Sequence, residues 1–439
     1  MCSFILTDKP VKPVDLDAAN TYAKYRGPDG TSILQEHGIS ALHNLLSITG
    51  ENNSQPVCKD DVIIVFNGEI YNYLDHGNFD CDTDCIYHLY KKYHMNFAKH
   101  LDGEFAIALY DLRRKCLIVA SDPFKTKPMY IAFNDKHFGV STYKSSLTSL
   151  GFKKIEFFPA NTIMTYQIPG HCPILKDEVY DFQLVQYKDT YDDWVKAFER
   201  SIWKRTRDVR EKIFIGLSSG HDSGAIFCEL HQQTVPFMSY SILNNEYKDV
   251  INNRYRHRHS EYLTYKFSRT DNSIARKFVQ DKVEDYNVDG YSVKEDDASY
   301  ALSSICRKAL SGIPHKIYLS GTGSDEIMSD YSYNGKPVFK SNSCFNGIFP
   351  EDLRTIFPWK NFYGGTQQHY LAKEEHVVGA HGIEARYPFL DANLVQEFLY
   401  LKPGLKNKYY KGPLRHYFEL TGFPYHEFKL GFSPYERVK

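Results

Sequence analysis

A loop of small and hydroxyl side chains at residues 218–224 is the first stretch of the chain that could do chemistry. It follows an apolar run at residues 213–215, which predicts a buried strand, and it precedes residues 225–230, which predict a helix. Backbone N–H groups at such a strand-to-helix turn converge on an anion, and the helix dipole adds to the attraction. The Gly-Lys-Ser/Thr ending of a Walker A loop is absent. The spacing therefore indicates an anion-binding loop of another kind.

The order of residues in this loop resembles the Ser-Gly-Gly-x-Asp-Ser pyrophosphate loop of enzymes that cleave ATP between the α and β phosphates. Ser218, Gly220, Asp222 and Ser223 match that motif, and Ser219 replaces its first glycine. The resemblance implies that the chain makes an adenylate. It leaves open which group is adenylated and what then attacks it.

Cys2 is the second residue with candidate chemistry. Once Met1 is removed, Cys2 presents both a thiol and a free α-amine, and that amine can act as the base for its own nucleophile. The residues that follow support this role over a chance cysteine beside Met1. They are Arg26 in a turn, Asn67-Gly68-Glu69 after a predicted strand at 62–66, Asp84, a predicted strand at 105–110 and Ser121-Asp122-Pro123-Phe124.

In this order, the set resembles the class II glutamine amidotransferase domain, an N-terminal-nucleophile (Ntn) hydrolase in which two sheets lie between helices. The resemblance implies that Cys2 attacks the glutamine side-chain amide and releases ammonia. Asn67 and the N–H of Gly68 would form the oxyanion hole that the tetrahedral intermediate needs. Glu69 and Asp84 would hold the glutamine α-amino group, and Arg26 would lie beside the nucleophile.

One position departs from this pattern. The family usually has an Arg before the Leu-Ser-Ile that follows the turn, where it pairs with the glutamine α-carboxylate, and this chain has Leu45 there. Leu cannot pair with a carboxylate, and losing a charge-assisted contact is worth ~1.5–3 kcal/mol. We therefore expect weak glutamine binding unless His43 or a lysine substitutes.

The second half of the chain resembles glutamine-hydrolysing asparagine synthetase. After predicted strands at 237–242 and 316–319 comes Ser320-Gly321-Thr322-Gly323-Ser324-Asp325-Glu326, in which Thr322 replaces a Glu that the family uses in acyl transfer. Lys411, in a Lys-Gly-Pro-Leu-Arg segment, would neutralise charge on the phosphates. The residues that the resemblance assigns to ATP are Leu217, Ser218, Gly220, Asp222, Ser223, Ile242, Ser320 and Gly321, and those assigned to Mg²⁺ are Asp222 and Asp325.

The resemblance continues at residues 381–391 and 429–433 and so covers nearly the whole chain. It implies an α/β protein with two domains. Residues 2–180 would form the glutaminase, an Ntn-hydrolase αββα sandwich. Residues 181–439, opened by an amphipathic helix over 191–207, would form a doubly wound parallel-sheet ATP-pyrophosphatase domain of the adenine nucleotide α-hydrolase-like kind.

The implied enzyme is a carbon–nitrogen ligase with glutamine as amide donor and with ATP and Mg²⁺ as cofactors. Ammonia from the Cys2 site would travel inside the protein and displace AMP from an acyl-adenylate, giving an amide, AMP, pyrophosphate and glutamate. Aspartate is the default acceptor, which would make asparagine. Thr322 and Leu45 leave room for a different carboxylate acceptor. A second alternative is a glutaminase or glutamine sensor with an inactive synthetase half, against which the intact Asp222, Asp325 and Lys411 argue.

The charge and cysteine content of the chain indicate which classes of binding partner and which compartment to expect. The 439-residue chain has a formal net charge of −1, which gives no reason to expect nucleic acid or an anionic membrane. Nine cysteines, an odd number, do not suggest a disulfide framework, so we expect a reducing cytoplasm. A homodimer is compatible with the resemblance.

Two further clusters favour plain structural roles. Cys81 and Cys85 have CxxxC spacing but no second pair at zinc-ligand spacing, so we expect unmetallated thiols. The basic stretch at residues 252–259 is interpreted as a solvated loop, with an anion-binding surface as the alternative.

Overall fold

The computed structural model describes residues 1–50, 55–257, 261–338, 343–427 and 435. These residues form two units. The first is Met1–Asp181 with Lys282–Glu284 and Gly379–Ile383, and the second is Phe182–Asp281 with Asp285–Val378 and Glu384–Lys439. No helix among the described residues has the length and apolar character needed to cross a bilayer.

The first unit contains two antiparallel sheets of six strands each. Its strands are β1 (Ser3–Thr7), β2 (Gly30–Glu36), β3 (Ile39–Leu45), β4 (Val57–Lys59), β5 (Val62–Ile70), β6 (Gly103–Asp111), β7 (Cys116–Ser121), β8 (Tyr130–Phe133), β9 (Phe138–Ser141), β10 (Ile155–Phe157), β11 (Thr162–Gln167) and β12 (Cys172–Asp177). Its α-helices are α1 (Pro13–Ala19), α2 (Asp82–Tyr93) and α3 (Lys144–Ser149), and its 3₁₀ turns are Ala23–Tyr25, Tyr73–Asp75 and His94–His100. The strand orders are β10-β8-β9-β1-β3-β2 and β12-β11-β7-β6-β5-β4.

Strand β5 shows why the two sheets stack. Successive side chains of a strand point to opposite faces. Ile63 and Val65 join Phe4 of β1 in the apolar layer between the sheets, whereas Ile64 and Phe66 pack with α2 on the outer face. Helices α1 and α3 cover the outer face of the other sheet in the same way. The layer order is helix, sheet, sheet, helix, which confirms the predicted αββα sandwich.

The second unit is built on a parallel sheet of five strands in the order β15-β14-β13-β18-β21. Its strands are β13 (Lys212–Gly216), β14 (Phe237–Ile242), β15 (Glu261–Tyr265), the hairpin β16 (Asn287–Val288) and β17 (Tyr291–Ser292), β18 (His315–Leu319), the hairpin β19 (Ser332–Tyr333) and β20 (Lys336–Pro337), and β21 (Glu384–Arg386). Its α-helices are α4 (Asp192–Thr206), α5 (His221–Gln232), α6 (Lys248–His257), α7 (Arg269–Lys282), α8 (Asp297–Ala309), α9 (Ser324–Met328), α10 (Lys360–Tyr363), α11 (Gly365–Ala380), α12 (Ala392–Tyr400), α13 (Pro403–Lys406) and α14 (Gly412–Thr421). Its 3₁₀ turns are Val293–Glu295, Leu353–Thr355 and Pro388–Leu390.

The order of the parallel strands fixes where a ligand would bind. From β13 the chain adds β14 and β15 on one side, and it later adds β18 and β21 on the other. Open parallel sheets bind ligands at the carboxyl ends of the strands, at the point where the strand order reverses. That point lies between β13 and β18. The two predicted nucleotide loops, after β13 and after β18, therefore meet at this edge, and the doubly wound prediction is confirmed.

One local prediction is wrong. Residues 252–257 of the basic stretch belong to helix α6 rather than to a solvated loop, because Ile251, Arg254 and Tyr255 share one buried face at helical spacing. Residues 258–259 and the matching segment at 429–433 lie outside the described residues.

Candidate active sites

Cys2 immediately precedes β1 and is half-buried, with its Sγ 3.8 Å from the carbonyl oxygen of Leu46. Arg26 is fully buried and fixes this end of the chain, because its Nε donates to the carbonyl oxygen of Cys2 at 3.0 Å. Another guanidinium nitrogen contacts Tyr143 Oη at 3.3 Å. Arg26 therefore positions the backbone of the candidate nucleophile.

Asn67 lies inside β5 and is fully buried. Within the described residues, neither its amide oxygen nor its amide nitrogen has a hydrogen-bond partner. A buried polar group without a partner is costly, so this amide is available for a ligand. Gly68 follows it with φ +142°, and a Cβ there would come within 1.9 Å of the carbonyl oxygen of Glu104. Only glycine fits at position 68.

His43 joins the two halves of this site, a role that the sequence analysis missed. It pairs with Phe4 in the ladder between β1 and β3, and its Nε2 lies 3.1 Å from the carbonyl oxygen of Phe66, next to Asn67. Burial lowers the pKa of His43 to about 4. The ring is neutral at pH 7 and donates to Phe66, so His43 is not the cation that replaces the missing arginine.

The residues at the positions expected to bind the α-amino and α-carboxylate groups of glutamine differ in their exposure. Glu69 is buried on β5 and accepts a hydrogen bond from Thr49 Oγ1 at 2.8 Å. Asp84 is exposed in the first turn of α2, where it accepts from Cys81 Sγ at 3.5 Å. Leu45 is half-buried at the end of β3, and its carbonyl oxygen accepts from the N–H of Asp29 at 3.0 Å. Cys81 and Cys85 are both buried free cysteines.

The loop between β13 and α5 is held by its own hydroxyl groups. The Ser218 N–H donates to Ser223 Oγ at 3.0 Å, and the Gly220 N–H donates to Ser218 Oγ at 3.1 Å. The N–H of Ser219 instead donates to the half-buried carboxylate of Glu246 at 2.7 Å. An anionic side chain is therefore already attracted to the N–H groups of this loop, as expected for an anion site at a helix N-terminus.

Arg254 supports the same loop from behind. Its Nη1 donates to the carbonyl oxygens of Ser218 at 2.6 Å and Gly220 at 3.0 Å. Gly224 makes room for this contact, because a Cβ there would lie 2.5 Å from the guanidinium carbon. Helix α6 thus supplies a positioning residue for the candidate pyrophosphate loop.

Lys411 joins the loops that follow the two central strands. Its Nζ lies 2.5 Å from Asp222 Oδ1 and 2.9 Å from Asp325 Oδ1. Burial works against the charge of Lys411, but the two carboxylates outweigh it and raise its pKa. Lys411 also has φ +51°, in the left-handed region, which costs a non-glycine residue ~1–3 kcal/mol. A buried ammonium in a strained backbone is typical of functional sites.

The remaining candidates line one cavity of about 800 Å³ within the second unit. Its walls include Lys411 and Asp325. They also include all eight residues assigned to ATP, which are Leu217, Ser218, Gly220, Asp222, Ser223, Ile242, Ser320 and Gly321. Gly321 lets the two loops approach, since a Cβ there would lie 2.8 Å from Asp222 Cβ. Thr322 also lines the cavity, and its Oγ1 donates to Glu374 Oε1 at 3.0 Å.

Asp222 and Asp325 fit the chemistry of magnesium. Mg²⁺ prefers oxygen ligands and is usually held by one or two carboxylates together with substrate phosphates and water. Among the described residues, no cluster of three His, Cys, Asp or Glu side chains could hold a metal by itself. The donor set therefore suits an ion that arrives with a nucleotide.

Comparison with known proteins finds two family models that match parts of this chain. A family model described as a glutamine amidotransferase domain matches residues 1–167, and one described as asparagine synthase matches residues 361–424, which include Lys411. Among solved structures, the allosteric regulatory enzyme of purine biosynthesis aligns with 61% of this chain and 81% of its own chain, at 12% sequence identity. The TM-score of 0.36 is too low to support a conclusion about this chain.

Curated relatives share both halves. A putative glutamine-hydrolysing asparagine synthetase of Methanocaldococcus jannaschii is 25% identical over 397 residues, covering 82% of this chain and 68% of the relative. Glutamine-hydrolysing asparagine synthetases of Triphysaria versicolor and Arabidopsis thaliana are 27% and 26% identical, each covering 91% of this chain and 69% of the relative. Both family models match in the order that the motifs predict, and the chain is similar to glutamine-hydrolysing asparagine synthetases over most of its length.

Proposed function

We propose that this protein is a glutamine-dependent asparagine synthetase-type amidotransferase that activates a carboxylate with ATP. The observation that carries the proposal is Lys411 paired with Asp222 and Asp325, because it joins the two loops at the reversal point of a parallel sheet. Residues 2–180 are proposed as the glutaminase domain and residues 181–439 as the ATP-binding domain.

At the first site, the Cys2 thiol adds to the side-chain carbonyl carbon of glutamine after Met1 has been removed. The free α-amine of Cys2 takes the thiol proton and passes it to the leaving ammonia. The unpartnered amide of Asn67 and the N–H of Gly68 bind the oxyanion. Water then hydrolyses the thioester to glutamate. Glu69 and Asp84 bind the glutamine α-amino group, and Arg26 holds Cys2 in place.

At the second site, a carboxylate oxygen of the acceptor attacks the α phosphorus of ATP and pyrophosphate leaves. The loop at 218–223 binds the pyrophosphate, while Ser320, Gly321, Leu217 and Ile242 line the nucleotide. Lys411 neutralises charge on the phosphates. Asp222 and Asp325 would hold Mg²⁺, which supplies further charge neutralisation there. Ammonia then attacks the acyl carbon, and AMP leaves as the amide forms.

Aspartate is the proposed acceptor, because the relatives are named asparagine synthetases and asparagine is the side-chain amide of aspartate. Measuring pyrophosphate release with ATP, Mg²⁺ and ammonium, while screening aspartate against other carboxylic acids, tests this choice. Release only with aspartate, with asparagine as product, would support it. Release only with another acid would keep the mechanism and change the acceptor. No release with any acid would favour a glutaminase or sensor with an inactive synthetase half.

Two variants separate the sites. Cys2→Ala should abolish glutamine-dependent product and keep ammonium-dependent product. Asp222→Asn should stop pyrophosphate release while glutaminase activity continues. Loss of both activities in Cys2→Ala would contradict the two-site proposal.

We also propose a cytoplasmic location, where thiols stay reduced, and a homodimer, which sedimentation of the full chain would test.

A further inference from the structure

Glu374 is a buried carboxylate to which none of the proposed roles assigns a task. It lies on α11, is 8% exposed and lines the same cavity as Asp222 and Lys411. Its Oε1 accepts the hydrogen bond from Thr322 Oγ1 at 3.0 Å. Its Oε2 is buried and makes no hydrogen bond with any described residue. A buried carboxylate oxygen that lacks a donor is costly, so a group of the substrate is expected to complete it.

The proposed reaction requires a proton acceptor at this cavity. When ammonia attacks the acyl-adenylate, a C–N bond forms and the nitrogen becomes positively charged. That nitrogen must lose one proton before the C–O bond to AMP breaks, because otherwise ammonia is the better leaving group. The balanced step converts acyl-adenylate and ammonia into amide, AMP and one proton.

The ionisable groups proposed to bind the phosphates and Mg²⁺, which are Lys411, Asp222 and Asp325, already form ion pairs and hydrogen bonds. Lys411 donates to both Asp222 and Asp325. Asp222 also accepts from Ser324 Oγ at 2.6 Å, and Asp325 accepts from the hydroxyl of Tyr410. Glu374, by contrast, has one oxygen held by Thr322 and a second, buried oxygen that has no hydrogen-bond partner among the described residues.

We propose that Glu374 accepts the proton from the attacking ammonia nitrogen, and that Thr322 is a positioning residue that orients the Glu374 carboxylate. This inference rests on the proposed function. It also gives the replacement at position 322 a structural explanation. Residue 322 is not acidic in this chain, but a carboxylate from α11 reaches it across a separation of 52 residues.

The electrostatic surroundings suit this role. Burial raises the pKa of Glu374 to about 7, against the lowering effects of the Ser320 and Thr322 hydroxyls and of Lys373, while Glu375 raises it further. A general base works best when its pKa lies near the working pH. The titratable groups that face Glu374 are Lys373 and Glu375 on α11, Tyr318 on β18, Cys306 on α8 and Tyr291 on β17.

The test is Glu374→Gln in the full chain, assayed in two ways. ATP–pyrophosphate exchange with the acceptor acid reports adenylate formation, and amide formation from ammonium reports the second step. We expect amide formation to fall by about 100-fold or more and exchange to stay within about threefold of the wild type, since glutamine at 374 keeps an acceptor oxygen for Thr322. The residual amide formation should also lose its rise with pH near 7.

Two further variants control for folding and for buried charge. Glu229→Gln removes another buried carboxylate, one that accepts from Tyr417 and Gln233 and does not line the cavity, and it should not separate the two assays. Thr322→Glu combined with Glu374→Ala returns a carboxylate to position 322 and should restore part of the amide formation that Glu374→Ala alone loses.

Three outcomes would overturn the assignment. The first is a wild-type rate of amide formation in Glu374→Gln, and the second is an equal loss of exchange and amide formation in that variant. The third is a selective loss of amide formation in His369→Gln, which changes another residue that lines the cavity, but not in Glu374→Gln. If the wild-type protein itself shows no exchange with any acid, the proposed function fails and the assignment fails with it. That result differs from all three because it appears before any substitution.

Discussion

Lys411 and Asp222 form an ion pair in which the ammonium is buried and the carboxylate is half-buried, with 2.5 Å between Nζ and Oδ1. The two residues are 189 positions apart in the sequence, and the pair connects the start of α14 with the start of α5. Asp325 accepts from the same ammonium at 2.9 Å. One cation therefore keeps two carboxylates from repelling each other at the edge of the sheet.

We predict that Lys411→Met lowers both stability and adenylation. Removing one partner of a buried ion pair costs ~3–5 kcal/mol, and we expect the lower end because the Asp222 side chain is 21% exposed. ATP–pyrophosphate exchange should fall by about 100- to 1,000-fold. Urea denaturation and exchange assays measure the two effects. Lys411→Met combined with Asp222→Asn should be more stable than Lys411→Met alone, and equal stability would contradict the pairing.

Removing the side-chain amide of Asn67 should lower the glutaminase turnover but leave the stability of the protein nearly unchanged. Asn67→Ala is expected to lower glutaminase turnover by about 100- to 1,000-fold, because an oxyanion donor is lost. The free energy of unfolding should change little, since the amide has no hydrogen-bond partner among the described residues.

Asn44 is the matched control for this prediction. It is as buried as Asn67, but its amide bonds to Asn20, Ser3 and Thr31 at 2.7–3.0 Å. Asn44→Ala should therefore destabilise the protein more than Asn67→Ala, by about 1–3 kcal/mol. The reverse order would show that the Asn67 amide has a structural partner.

Leu45→Arg should strengthen glutamine binding. A charge-assisted contact to the α-carboxylate is worth ~1.5–3 kcal/mol, which corresponds to a fall of about tenfold or more in the glutamine KM. Ammonium-dependent amide formation should not change. Leu45→Gln, which adds polarity without charge, is the control. A wild-type KM in Leu45→Arg would mean that another cation already binds the carboxylate.

Acid should destabilise the protein partly through His43. Its pKa is about 4 in the folded state and near the ordinary 6.5 in the unfolded state. Between these values the unfolded chain binds more protons, so the free energy of unfolding falls as the pH falls from about 6.5 toward 4. His221, whose pKa burial also lowers to about 4, contributes in the same direction.

His43→Gln keeps a donor for the carbonyl of Phe66 and removes the titration. Its urea midpoint should depend less on pH than that of the wild type between pH 7 and 5. The same pH dependence in both proteins would contradict the neutral, buried state of His43.

The elements and the motifs were predictable from the sequence because their signals are local. The apolar run before Ser218 and the alternating faces of β5 each lie within a few residues, and the motif order indicated the asparagine synthetases to which the chain is similar. Arg254 and Glu374 were not predictable, since each acts on a loop 34 or more positions away. A basic stretch indicates a solvated surface unless the topology is known, and here the topology buries Arg254 behind the loop.

The most direct measurement follows the amide nitrogen. The protein is incubated with ATP, Mg²⁺, aspartate and glutamine that carries ¹⁵N in its side-chain amide, and the products are analysed by mass spectrometry. We predict ¹⁵N in the side-chain amide of asparagine, with AMP and pyrophosphate formed in equal amounts. Release of ¹⁵N-ammonia into solution, with no ATP consumed in the presence of any carboxylic acid, would contradict a coupled synthetase.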